Sequence, residues 1–177
     1  MRHTVYLLIL LTFVSTGLLT RGAQATSPGY VLAWPGILPD HALYPIKVFR
    51  NKLIAKMIYD PVKRIEFDLL MADKTLYASS LLLARGNTQL ARETALKGEN
   101  YFSILVTDYR LALAKKKPIP QALTRKITRA YLTHQRLIAD LIASSPRDPE
   151  TFRQVQYFAL TNFQALRDAQ KIPKKEQ

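Results

Sequence analysis

From residue 41 onward, apolar residues recur at three- and four-residue spacings almost without pause, which is the period of amphipathic helices. A first helix starts near Leu43, with Pro45 in its first turn, where a missing N–H costs nothing, and stops near Tyr59. Ile46, Phe49, Leu53 and Met57 share one of its faces. Asp60-Pro61 opens a second helix as N-cap and first residue. Val62, Ile65, Leu69, Ala72, Leu76 and Leu83 form its stripe, and Phe67, Leu70, Met71 and Leu81 add a second apolar side. Only a narrow polar wedge is left, with Glu66, Asp73 and Tyr77, so this helix is expected at the centre. Arg85-Gly86-Asn87 ends it and caps a third helix, whose seam is Ala91, Ala95, Gly98, Phe102, Leu105, Tyr109 and Ala112. Gly98 on that seam predicts close approach of a neighbour. Pro118-Ile119-Pro120 breaks the chain, and a fourth helix runs from about Gln121 to Ala143 with Leu123, Ile127, Tyr131, His134, Ile138 and Leu141 on one face. A second Asp-Pro pair, Asp148-Pro149, opens a fifth helix carrying Phe152, Val155, Ala159, Phe163 and Leu166.

No strand pattern competes. The predicted fold is all-α, an antiparallel bundle of four long helices plus one shorter N-terminal helix. The bundle is placed at residues 41–172, with a frayed basic tail at 173–177. Ahead of it, residues 26–40 hold Pro28, Gly29, Pro35, Gly36 and Pro39 among apolar residues such as Tyr30, Leu32 and Trp34. This composition reads as an extended Pro/Gly-rich arm lying on the bundle. Residues 1–25 read as a signal peptide: a basic start at Arg2, an uncharged apolar run from Val5 to Leu19, and Ala23-Gln24-Ala25 as a cleavage site. The expected location is therefore outside the inner membrane, whether periplasmic, cell-surface or secreted. The alternative is an uncleaved N-terminal anchor, although the run is shorter than the ~20 residues of a span.

Composition removes much chemistry. The chain of 177 residues has no cysteine and three histidines. Disulfides, thiolate metal sites, iron–sulfur clusters and thiol catalysis are excluded together. His41 follows Asp40 at a helix start. His134 lies in the middle of an apolar face and is read as a core histidine bonded to a tyrosine or a backbone carbonyl. Paired Glu-x-x-His motifs of di-iron bundles are absent. Glu66 and Asp73 lie two turns apart and Glu99 sits beside the third seam, which raises the thought of a wall hydrolase. Without the context such an enzyme needs, surface carboxylates paired with nearby cations are the expected explanation. No catalytic constellation, cofactor motif or metal site is found, so a non-enzymatic exported helical domain with a structural or binding role at the cell envelope is expected. The alternatives are polyanion or anionic membrane-surface binding through a basic helix face, then a periplasmic-type helical chaperone or sensor, which would need an exposed apolar groove, or the wall hydrolase.

Charge is the strongest local signal. The chain carries 26 Lys and Arg against 13 Asp and Glu, for a net charge of +13. Eight basic residues and no acidic one lie between Arg110 and Ala139: Arg110, Lys115, Lys116, Lys117, Arg125, Lys126, Arg129 and Arg136. At ~100° per residue, Arg125, Arg129 and Arg136 fall within ~40° of one another, opposite the apolar face. An outward arginine row beside a lysine triplet attracts polyanions, which makes Lys115, Lys116, Lys117, Arg125, Lys126, Arg129 and Arg136 the candidate site. The candidate partner is an anionic envelope polymer or lipid surface. Without interleaved aromatics for base stacking, sequence-specific nucleic-acid binding is not expected.

The segment Pro35-Gly36-Ile37-Leu38-Pro39-Asp40-His41-Ala42-Leu43-Tyr44-Pro45-Ile46-Lys47 resembles the opening of a bacterial exported family, the domain of unknown function 5667 type. Members read much like Leu-Pro-Asp-x-Pro-Leu-Tyr-x-Leu-Lys here and continue with Asp-Pro-x-x-(Lys/Arg), matched by Asp60-Pro61-Val62-Lys63-Arg64, then by Ala72-Asp73-Lys74-Thr75-Leu76. The resemblance spans about Pro35 to Leu113. Ala42 and Thr75 depart from the family's Pro and Arg. The resemblance implies an exported helical domain without an established activity. It also implies that Leu43 and Tyr44 pack into the bundle as the arm turns into the first helix.

Overall fold

The computed structural model describes residues 29–145 and 149–171. They form five helices: α1 (Tyr44–Met57), α2 (Pro61–Ala84), α3 (Thr88–Ala114), α4 (Gln121–Ala143) and α5 (Glu150–Lys171). Among the described residues there is no strand. The segment 1–25, Asp148 of the second Asp-Pro pair and the tail 173–177 lie outside the described residues.

Helix ends follow local chemistry. Asp60 accepts a hydrogen bond from Lys63 N at 2.8 Å, with Pro61 as the first residue of α2. That satisfies one of the orphan donors of a helix start. At its other end Gly86 takes φ +79°, the left-handed stop that glycine reaches without penalty. Asn87 then caps α3 through Leu90 N at 3.4 Å. The end of α3 closes in the same manner, with Lys116 N returning to Leu113 O and Lys117 N to Ala112 O. There, however, the left-handed residue is Lys116, at φ 54°.

Apolar stripes decide the packing. α2 packs on α3 and on α4, and α5 packs on α3 and on α4. One core layer joins Ile65 and Leu69 of α2, Phe102 and Tyr109 of α3, Ile127 of α4 and Leu166 of α5. The other joins Leu76 and Leu82, Ala91 and Ala95, Ile138 and Leu141, and Phe152 and Val155. The beginnings of α2 and α4 thus share a layer with the ends of α3 and α5. α2 and α4 run one way and α3 and α5 the other, so the neighbours α2–α4 and α3–α5 are parallel. The connection from Lys115 to Pro120 carries the chain across one end of the bundle. Beside it Tyr109 and Thr124 share a hydrogen bond of 3.0 Å. Gly98 stands at the α2–α3 contact, where a Cβ would lie 3.2 Å from Leu76 N and 3.4 Å from Leu76 Cβ.

Residues 29–43 are not helical and lie against the helices. Pro35 and Leu38 are buried. Trp34 meets Tyr77 edge-on at 5.6 Å. Lys47 Nζ donates to Pro35 O and Ile37 O, each at 2.7 Å. Tyr30 lies between α2 and α4, bonded to Asp73 and, through its carbonyl, to Thr133.

Two expectations need correction. Leu43 is half exposed instead of packed; Leu38 takes the buried place ahead of α1. The face of Ile46, Phe49, Leu53 and Met57 does not enter the core: these side chains are 65%, 70%, 51% and 67% exposed. α1 contributes no buried residue: its opposite side, with Tyr44, Lys47, Asn51 and Ala55, is only half-buried.

Candidate anion-binding face and a buried polar cluster

The candidate cations lie on α4 and in the connection before it. Leu123, Ile127, Ala130, Tyr131, His134, Ile138 and Leu141 fix the inward side of α4, and helical register leaves the opposite side to Arg125, Arg129 and Arg136. All three are exposed, as are Lys126 and Lys115, Lys116 and Lys117 in the connection. Among the described residues the ion pairs fall on Arg64, Arg85, His134, Arg153 and Lys171. None of the seven candidate cations takes part in one. Arg110, the first basic residue of the stretch, donates to Ala165 O at 3.3 Å and borders a groove of about 670 Å³ with Tyr131, Phe163 and Arg167. The Tyr131 and Phe163 rings stack there at 3.6 Å.

Asp73 does not belong to a solvated wedge, and Glu99 is not a surface carboxylate. Both are buried, at 3% exposure each, with His134 at 1%. His134 is bonded to neither a tyrosine nor a carbonyl here: its Nε2 lies 2.7 Å from Asp73 Oδ1. Tyr30 OH donates to Asp73 Oδ2 at 2.5 Å, so one carboxylate joins the N-terminal segment, α2 and α4. Tyr30's hydroxyl pKa is pushed well up, by burial first and by Asp73 second. Glu99, on α3, accepts from Asn162 Nδ2 of α5 at 3.1 Å, and Ser103 Oγ donates to Asn162 Oδ1 at 2.9 Å. Burial raises the Glu99 pKa, while His134 and Asn162 pull it back down. Phe102 covers the imidazole edge-on at 5.8 Å.

A carboxylate-oriented imidazole is a general-base arrangement when a nucleophile or substrate reaches the ring. Here the ring and both carboxylates are sealed in the core, and the arrangement ties elements together. Asp68 is a further buried carboxylate, bonded to Arg64 at 3.1 Å with Oδ1 unpartnered. Burial raises its pKa to about 6 against the pull of Arg64.

Sequence reading found His134 by its place on an apolar face. It placed Asp73 in a polar wedge and missed its burial beside His134, although Asp73 follows Leu69 by one i,i+4 step and precedes Leu76 by three residues, which is the edge of the buried stripe. No described helix is long and apolar enough to cross a membrane. Comparison with protein-family models, with curated proteins and with solved structures gives no match for this chain.

Proposed function

We propose that this protein is an exported, non-enzymatic helical domain of the bacterial cell envelope that binds polyanionic surfaces through the basic face of α4. The resemblance of residues 35–47 to an exported family belongs to the same reading. The observation that carries it is seven exposed cations that form no ion pair among the described residues. A basic face kept only for solubility gains from interspersed acids, and the stretch from Arg110 to Ala139 has none. Lys116 adds to the argument. A side chain at φ 54° costs on the order of 1–2 kcal/mol where glycine would sit unstrained, so the lysine is kept against a local conformational preference. The wall-hydrolase alternative is not favoured, since Asp73 and Glu99 serve core contacts.

Heparin affinity against salt tests the proposal. Arg125→Gln/Arg129→Gln/Arg136→Gln should lower the slope of log affinity against log salt by about two to three, near one unit for each cation removed. Thermal stability should stay nearly unchanged, as exposed charges contribute little to folding. Lys116→Gly should raise stability by up to about 1 kcal/mol while lowering affinity. An unchanged slope and affinity in the triple variant would reduce the basic face to a solvated surface.

A further inference from the structure

α1 turns its larger apolar side chains away from the bundle, between flanking cations. Tyr44, Lys47, Asn51 and Ala55 share its bundle-facing side, and polar contacts hold it there. Arg64 Nη1 donates to Ala55 O at 2.6 Å, Lys97 Nζ to Tyr44 OH at 3.3 Å, and Asn51 Nδ2 reaches Met71 Sδ at 3.5 Å. The outward side presents Ile46, Phe49, Leu53 and Met57, with Ile54 beside them and Tyr59 just past the end, all exposed. At ~100° per residue, Lys52 and Lys56 run along one edge of this face and Arg50 lies within it toward the other. From His41 to Tyr59 there is no acidic residue.

A contiguous exposed apolar face marks an interaction surface, and its charges select the partner. A second copy of this chain would oppose the same cations with cations. The uncharged run from Val5 to Leu19 offers them no counter-charge. An anionic bilayer supplies both needs: an acyl boundary for the apolar side chains, and phosphates for Lys and Arg heads extended from aliphatic stems. α1 has 14 residues, too few to span a bilayer, so it lies in the interface plane. We propose that α1 seats its Ile46/Phe49/Leu53/Met57 face in the headgroup region of an anionic phospholipid membrane, a surface separate from the basic face of α4.

Trp34 is the sole tryptophan, which allows a position-specific test on the full chain. Trp34→Phe/Phe49→Trp should be blue-shifted and quenched by phosphatidylglycerol vesicles with brominated acyl chains. Trp34→Phe/Arg125→Trp should not be quenched. Adding Lys52→Gln/Lys56→Gln should weaken vesicle binding roughly thirtyfold, at about fivefold per cation. Phosphatidylcholine vesicles should bind at least about tenfold more weakly than phosphatidylglycerol. An unquenched tryptophan at position 49 overturns the proposal. So does quenching at position 125 alone, which would seat α4 on the lipid. A position-49 tryptophan already blue-shifted in a dimer without vesicles would also overturn it, assigning the face to a second copy. Loss of heparin binding in the α4 variant with position-49 quenching intact would leave this proposal standing.

Discussion

Glu99 shows what a charge-bearing residue costs inside a bundle and how the neighbours reduce that cost. Its carboxyl is buried with Asn162 and near His134, and its pKa is raised. A raised carboxyl pKa means that the folded state holds its proton to higher pH than the unfolded chain does. The stabilising contribution is therefore complete below the ordinary value of 4.5 and is lost as pH rises through the folded value. Asp68 acts with the same sign between 3.8 and about 6. Glu99→Gln keeps an acceptor for Asn162 and removes the titration. The variant should be at least as stable as the natural protein at pH 7 and should show a shallower fall in stability from pH 4 upward. Denaturant titrations across that range would check it, and parallel pH profiles for the two proteins would refute it. His134 was legible in the sequence because an apolar periodicity surrounds it. Its partners were not. Asp73 lies at the edge of a stripe, where residue type argues for solvent, and Tyr30 sits in a segment with no periodicity.

Helices were legible where local chemistry fixes them. Asp60-Pro61, Gly86 and Pro120 mark the observed ends of α2 and the start of α4, since caps and breaks are properties of a few adjacent residues. Which way a helix turns its apolar face is a tertiary matter, and α1 is the case where periodicity misleads. Its face of Ile46, Phe49, Leu53 and Met57 is regular, yet Tyr44 and Asn51 make the contacts with the long helices, and Lys47 those with the segment before α1. Gly98 is the opposite case, a close approach expected from the seam and found against α2. Gly98→Ala gains ~1 kcal/mol of helix propensity. The added Cβ would press on the Leu76 backbone at 3.2 Å, and a buried helix backbone cannot swing aside as a side-chain tip does. Overpacking of this kind costs about 1–3 kcal/mol, so Gly98→Ala should lower stability by about 1 kcal/mol net. Chemical denaturation decides the sign, and a stabilised variant would show that α2 and α3 can separate by a few tenths of an ångström without loss.

At the scale of the molecule, the four long helices close around two core layers, and the pairing of α2 with α4 has no local signature in the chain. Tyr30 bridges that pair from outside, with its hydroxyl on Asp73 and its carbonyl on Thr133. Such a bridge is expected to make residues 29–43 part of the cooperative unit, which removal of the Tyr30 hydroxyl tests. Tyr30→Phe removes the phenolic donor and leaves Asp73 Oδ2 buried without it. A hydrogen bond to a buried charged acceptor is worth about 1.5–3 kcal/mol, and the variant should lose global stability by that order. Thr133→Ala, which removes one neutral bond of 3.3 Å, should lose about 1 kcal/mol or less. Hydrogen exchange distinguishes a brace from a strap. If Tyr30 braces the bundle, Tyr30→Phe speeds exchange of the slowest amides in α2 and α4 in step with the loss of global stability. Faster exchange confined to residues 29–43, with the core amides of α2 and α4 unchanged, would mean that the segment opens independently of the bundle.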